Sequence, residues 1–133
     1  TFEGAPVVRR ILIIEDETLI AMMVEDFLTE LGWDVIGLAG SFDTALAMAR
    51  NADIDAAILD VNLNGKDSFA AADILDGRKI PFVFATGYGS EGICRRFRGV
   101  PVLTKPFHRD ELERALDQAM AGPGDDPAGR LLH

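Results

Sequence analysis

The sequence predicts an α/β fold, a doubly wound parallel sheet of five strands with helices on both faces. Three observations predict it. Short apolar runs alternate with stretches whose apolar residues recur at three and four, the connections are short, and several apolar runs end in a charged or hydroxyl residue. Right-handed crossovers leave few ways to wind such a chain, and strand order 2-1-3-4-5 is the one that sets the first strand beside the third.

The first strand is predicted over residues 7–14, entered through Arg9-Arg10 and closing with Ile11-Leu12-Ile13-Ile14. From Glu17 onward, Leu19, Ile20, Met23, Val24, Phe27, Leu28 and Leu31 mark one helical face, and Gly32 ends that helix. Residues 35–38 read as a short second strand. Ser41 and Thr44 open a second helix, because a serine oxygen can accept from the free backbone donors of a first turn; Ala45, Leu46, Met48 and Ala49 give its apolar face. Ala56-Ala57-Ile58-Leu59 is the third strand, closed by Asp60. A third helix covers residues 68–75, and a fourth strand, 81–85, runs into Thr86. The pattern weakens over residues 90–97, where Gly92 and Arg95-Arg96 interrupt it, and only a short helix is expected. Residues 101–103 form the fifth strand before Thr104 and Lys105. The closing helix, 108–120, shows Leu112, Ala115, Leu116 and Ala119 on one face and Asp110-Glu111 near its positive start. One domain over residues 1–121 is therefore expected. The tail, 122–133, has too little apolar content to pack and is expected to be disordered.

With 133 residues, 48% of them hydrophobic, the chain suits a single core. Thirteen basic against 22 acidic residues give a net charge of -9, which argues against sequence-independent nucleic-acid binding. Cys94 is the only cysteine, so no internal disulfide can form. No apolar run approaches the ~20 residues of a membrane span, and none has the apolar core of a signal peptide. The expected location is cytoplasmic, without a membrane partner.

Chemistry is expected at the carboxyl edge of the sheet, where the strands end in Glu15-Asp16-Glu17, Asp60, Thr86 and Lys105. Taken singly each is an ordinary loop residue. Together they bring three carboxylates, Glu15, Asp16 and Asp60, to one point beside a hydroxyl and an ammonium. Like charges at close range demand a cation or hold some protons, and an oxygen-only donor set favours a hard ion, Mg²⁺. Magnesium commonly shares its shell with phosphate oxygens, which gives Lys105 and Thr86 a phosphoryl group to face. An aspartate oxygen can itself attack phosphorus.

These residues resemble the receiver domain of two-component response regulators, the CheY-like family with a flavodoxin-like (βα)5 fold. EDE at residues 15–17, Asp60, Thr86 and the Lys105-Pro106 pair carry the resemblance, which covers roughly residues 9–121. It implies that Asp60 is the phosphoacceptor, charged by a histidine kinase or phosphotransfer protein. It further implies Mg²⁺ held by Asp16, Asp60, Glu15 through water and the backbone carbonyl of Asn62. Thr86 is then the switch hydroxyl, Lys105 the phosphate-binding lysine, and the Lys105-Pro106 bond cis. With no output domain after Met120, a stand-alone receiver read by a downstream protein target is expected, with Arg95 and Arg96 near the relay face.

Three departures qualify the resemblance. Val102 stands where receivers usually carry an aromatic. Asn64-Gly65 stands where most have proline. The stretch PFVFATGYG, residues 81–89, is similar to the PFxFATG signature of a subgroup without the aromatic, so motion of loop 87–92 and the weak fourth helix is expected to replace the usual coupling. Tyr88 and Asn62 flank the site at positions that steer water in the family.

Other readings compete. Gly87, Gly89 and Gly92 match G-x-G-x-x-G, but a dinucleotide fold needs an acidic residue closing the next strand, which closes with Lys105. A haloacid-dehalogenase-type phosphohydrolase would put its nucleophile on the first strand. A non-phosphorylated receiver-fold scaffold is the second alternative. Cys94 reads as an inert small residue, His108 as a helix start, His133 as tail, Trp33 as a cover for the first helix end, and Met22, Met23 and Met48 as helix packing.

Overall fold

A strand in which every residue is buried can only lie inside a sheet covered on both faces, and Ala56–Asp60 (β3) is such a strand. The computed structural model describes residues 9–88 and 92–122. Around β3 the chain runs β1 (Arg9–Ile14), α1 (Thr18–Glu30), β2 (Trp33–Ala39) and α2 (Phe42–Asn51) before it, and β4 (Asn62–Leu63), β5 (Lys66–Asp67), α3 (Phe69–Gly77), β6 (Phe82–Thr86), a 3₁₀ turn (Arg95–Phe97), β7 (Val102–Thr104) and α4 (Arg109–Ala121) after it. The main sheet has order β2-β1-β3-β6-β7 with every neighbouring pair parallel. Set aside the separate β4–β5 hairpin and this is the predicted 2-1-3-4-5.

Alternation along the strands divides the core. Leu12, Ile14, Ala57, Leu59, Phe82 and Phe84 pack on one face with Ala45, Ala49, Ala71, Ala72 and Leu75 of α2 and α3. Ile11, Ile13, Ile58 and Val83 pack on the other with Val24, Leu28, Leu112 and Leu116 of α1 and α4. Each large side chain so buried contributes about 1.5–3 kcal/mol. Alanines bring α2 and α3 close to each other, and Arg78 locks the pair by donating to the carbonyls of Ala49 at 2.6 Å and Ala52 at 2.9 Å, at the end of α2.

Phe97 fills the place where the fourth helix was expected. It is 3% exposed, with its ring centroid 5.5–5.8 Å from those of Phe84, Phe69 and Phe82. The segment is a single 3₁₀ turn rather than a helix, because Phe97 alone is buried in it while Arg95 and Arg96 face solvent. Arg96 pins the turn to α3 through a two-bonded pair with Asp73, at 2.9 and 2.8 Å.

Other expectations shift at their edges. β2 is longer than predicted at both ends, and Trp33 is its buried first residue, in one cluster with Val24 and Leu28 of α1 and with the Arg9 guanidinium 5.7 Å above the ring. Leu19 is 81% exposed, so the predicted apolar face of α1 is misassigned there, and Met22, expected to pack, is 52% exposed. Ala21, Val24 and Leu28 set the buried stripe, and Leu19 lies about 200° around the helix from Ala21. Gly32, at φ 91°, ends α1 as expected, and Ser41 accepts from the Thr44 N–H at the start of α2. His108 starts α4, its N–H donating to Glu111 Oε1 at 2.9 Å. Residues 7, 8 and 89–91, with part of the glycine-rich loop and of the expected fourth helix, and the expected disordered tail beyond Gly122, lie outside the described residues.

Candidate functional site

Parallel pairing brings the strand ends together. Ile14 pairs with Leu59, so Glu15 and Asp16 leave β1 beside Asp60; Asp60 pairs with Ala85, one residue before Thr86; and Thr86 pairs with Thr104, one residue before Lys105. All five residues expected to supply side chains therefore meet at one edge.

Lys105 is the centre of this pocket. Its Nζ lies 2.8 Å from Glu15 Oε1, 3.0 Å from Asp60 Oδ2 and 3.8 Å from Glu17 Oε1. The Lys105 N–H donates to the Thr86 carbonyl at 2.8 Å, and the Lys105-Pro106 bond is cis as expected. Carboxylate oxygens of Glu15, Asp16, Glu17 and Asp60 lie within 4.8 Å of one another, a donor set of hard oxygens suited to a divalent cation. Glu17, to which the sequence motif assigns no role, joins this cluster; its place directly after Glu15-Asp16, opening α1, is the signal that could have assigned it.

Burial governs the electrostatics. Glu15 and Asp60 are 6% and 7% exposed. Desolvation raises the Glu15 carboxyl from its ordinary value to about 7, against the opposing bonds from Lys105 and the Glu17 N–H. Burial also works against the Lys105 ammonium, but its pairs with Glu15 and Asp60 outweigh that and raise its pKa.

Backbone donors fix the carboxylates. The Asn62 N–H donates to Asp60 Oδ1 at 3.1 Å and the Glu17 N–H to Glu15 Oε2 at 3.1 Å. The Asn64 N–H donates to Asp16 Oδ2 at 2.9 Å. This last bond comes from a hairpin the sequence reading missed, β4–β5, whose two-residue turn is Asn64-Gly65; an Asn-Gly pair is the signal that could have found it. Thr86 is 4% exposed and its Oγ1 accepts from the Tyr88 N–H at 3.1 Å, while the Tyr88 side chain is 79% exposed. A cleft of about 900 Å³ lies at the opposite edge of the sheet, lined by Pro81, Phe82, Phe97, Pro101 and Met120, away from these groups.

The model of the response regulator receiver domain family matches residues 11–117. This chain belongs to that family. Among solved structures it is similar to SdrG from Sphingomonas melonis Fr1, 48% identical with a TM-score of 0.77, covering 85% of this chain and 97% of that one. SdrG from Pseudomonas melonis Fr1, solved in a BeF3-activated conformation, is 48% identical with a TM-score of 0.71, covering 84% of this chain and 95% of that one. A receiver domain of the sensor histidine kinase PA1611 from Pseudomonas aeruginosa PAO1, described with a magnesium ion in its active-site cleft, is 26% identical with a TM-score of 0.73, covering 87% of this chain and all of that one. Among curated relatives, the transcriptional regulatory protein PdtaR of Mycobacterium tuberculosis is 34% identical over 125 residues, 91% of this chain but only 61% of the relative's length. Among the described residues no helix is long and apolar enough to cross a membrane.

Proposed function

We propose that this receiver accepts a phosphoryl group on Asp60 from a phosphohistidine of a histidine kinase or phosphotransfer protein, and later loses it to water. The observation that carries the reading is the single ammonium of Lys105 held between two buried carboxylates, Glu15 and Asp60, in a cluster of four.

In the forward step an Asp60 oxygen bonds to phosphorus as the P–N bond breaks, and the electron pair returns to the imidazole, which takes up a proton. Lys105 supplies positive charge to the transferring oxygens and Thr86 a hydroxyl donor. In the reverse direction of signalling, water attacks phosphorus, inorganic phosphate leaves and the Asp60 carboxylate is restored. Glu15, Asp16, Asp60 and the Asn62 carbonyl would hold Mg²⁺, with Glu17 at the rim; the ion, when bound, neutralises charge on the phosphoryl oxygens. The donor chemistry fits, and a relative's magnesium-bound cleft supports it. The BeF3-activated conformation of a 48% identical relative supports the acceptor role.

The same reading places the chain in the PFxFATG subgroup, on PFVFATG at residues 81–87, with Val102 where the aromatic would be. Its site lies in the cytoplasm, its output passes to a downstream protein, and residues 1–121 form the signalling unit. Incubation with a small acyl phosphate or phosphoramidate donor and Mg²⁺ tests the reading. Label should enter the wild type and not Asp60→Asn. No label from any donor favours the scaffold alternative, and turnover of a generic phosphate ester favours a phosphohydrolase.

A further inference from the structure

Two alternate amides of one short segment hold oxygens of two different carboxylates. The N–H of Asn62 donates to Asp60 Oδ1 and that of Asn64 to Asp16 Oδ2. Between and beyond them the chain makes a tight hairpin. Leu63 pairs with Lys66, so the loop is the two residues Asn64 and Gly65, both at positive φ, 52° and 89°, as a type I′ turn requires. The Gly65 N–H closes it by donating to Asn62 Oδ1 at 2.8 Å.

Both feet of the hairpin are fixed. Leu63 is 1% exposed and packed in the core, the Lys66 ammonium lies 5.0 Å over the Phe42 ring, and Asp67 Oδ1 accepts from the Phe69 N–H where α3 begins. A segment anchored in this way is a rigid mount for the two amides. It acts against a definite force. Asp16 and Asp60 repel, and Asp16, only half-buried on the loop after β1, would otherwise turn to water.

We propose that hairpin 62–67 is a positioning element of the pocket, its backbone N–H groups at Asn62 and Asn64 holding the Asp60 and Asp16 carboxylates in the orientation that receives a divalent cation. The inference rests on the reading that this pocket takes such a cation. It assigns the Asn64-Gly65 pair, a departure from the proline usual nearby, a task of its own: this turn, with its two left-handed residues, presents the Asn64 N–H to Asp16.

The test is the Mg²⁺ affinity of the metal-free protein, measured by titration calorimetry, with the Asn64 amide followed by NMR. A Cβ at Gly65 meets nothing within 4 Å, so Gly65→Val acts through backbone strain and not through a clash. Groups that orient metal ligands typically carry 10–100-fold in affinity, and Gly65→Val and Asn64→Pro, which lacks the N–H, should each weaken Mg²⁺ binding roughly tenfold. Asn64→Gly, which keeps both the N–H and the positive φ, should retain it. Asp16→Ala removes a ligand along with the bond, so it is read by NMR alone: it should shift the Asn64 amide in the absence of metal. Wild-type affinity in Asn64→Pro, or an Asn64 amide unmoved by Asp16→Ala, overturns the positioning role while leaving the pocket intact. Failure of the wild type to bind Mg²⁺ overturns the reading of the pocket itself.

Discussion

The Lys105 ammonium sits 3.0 Å from Asp60 Oδ2, across 45 residues of chain and two strand boundaries. Because the same ammonium lies 2.8 Å from Glu15 Oε1, it places positive charge among the carboxylates and so opposes the approach of any cation. Lys105→Met should therefore bind Mg²⁺ several-fold more tightly than the wild type, yet take up phosphoryl label much more slowly. Calorimetry and label incorporation on the same sample check both halves, and weaker Mg²⁺ binding in the variant would contradict the competition.

Glu15 makes the pocket sensitive to pH. Its folded value of about 7 lies above the ordinary 4.5, so the folded protein keeps a proton that the unfolded chain has released. The stability this contributes is present in full below about 4.5 and is lost as pH rises toward about 7, amounting to a few kcal/mol at most. Urea midpoints measured in a chelator should fall across that window, and Glu15→Gln should flatten the slope. Since a cation must displace the same proton, Mg²⁺ affinity should rise with pH until about 7 and then level off.

Phe97 anchors the connection from β6 to β7 by burial among three other phenylalanines. Phe97→Ala should cost about 3–5 kcal/mol in chemical denaturation. The loss should fall first on the 3₁₀ turn, with faster amide exchange over residues 94–98 than over β3.

Lys79 follows α3 with φ 61°, a left-handed conformation that costs a residue with a Cβ about 1–2 kcal/mol. Lys79→Gly should relieve part of that and stabilise the fold by about 1 kcal/mol, measured as a higher urea midpoint with an unchanged slope.

Much of this was legible in the sequence, for a specific reason. Strands buried on both faces read as unbroken apolar runs, and the residue that closes each run, Asp60, Thr86 or Lys105, falls at the sheet edge whatever the helices do. The site was legible because it is made of strand ends. What escaped was set by packing and backbone. Leu19 fits a helical period but falls on the wrong side of the stripe set by Ala21 and Val24. Phe97 sits in a stretch with no periodicity and is held by rings distant in sequence. The hairpin is hidden because Asn64-Gly65, standing where a proline is usual, has too short a flanking pattern to read as a strand pair, and the bond it makes to Asp16 comes from a main-chain N–H, which leaves no mark in a sequence.

In the proposed reaction Asp60 becomes an acyl phosphate. Borohydride reduction of protein treated with phosphodonor and Mg²⁺, followed by peptide mass spectrometry, reads this directly, because reduction of an aspartyl phosphate leaves homoserine. Homoserine at position 60, absent when Mg²⁺ is withheld, is the predicted result. A phosphoryl group found on another residue, or an unmodified Asp60 under conditions that fully label a known receiver, would contradict it.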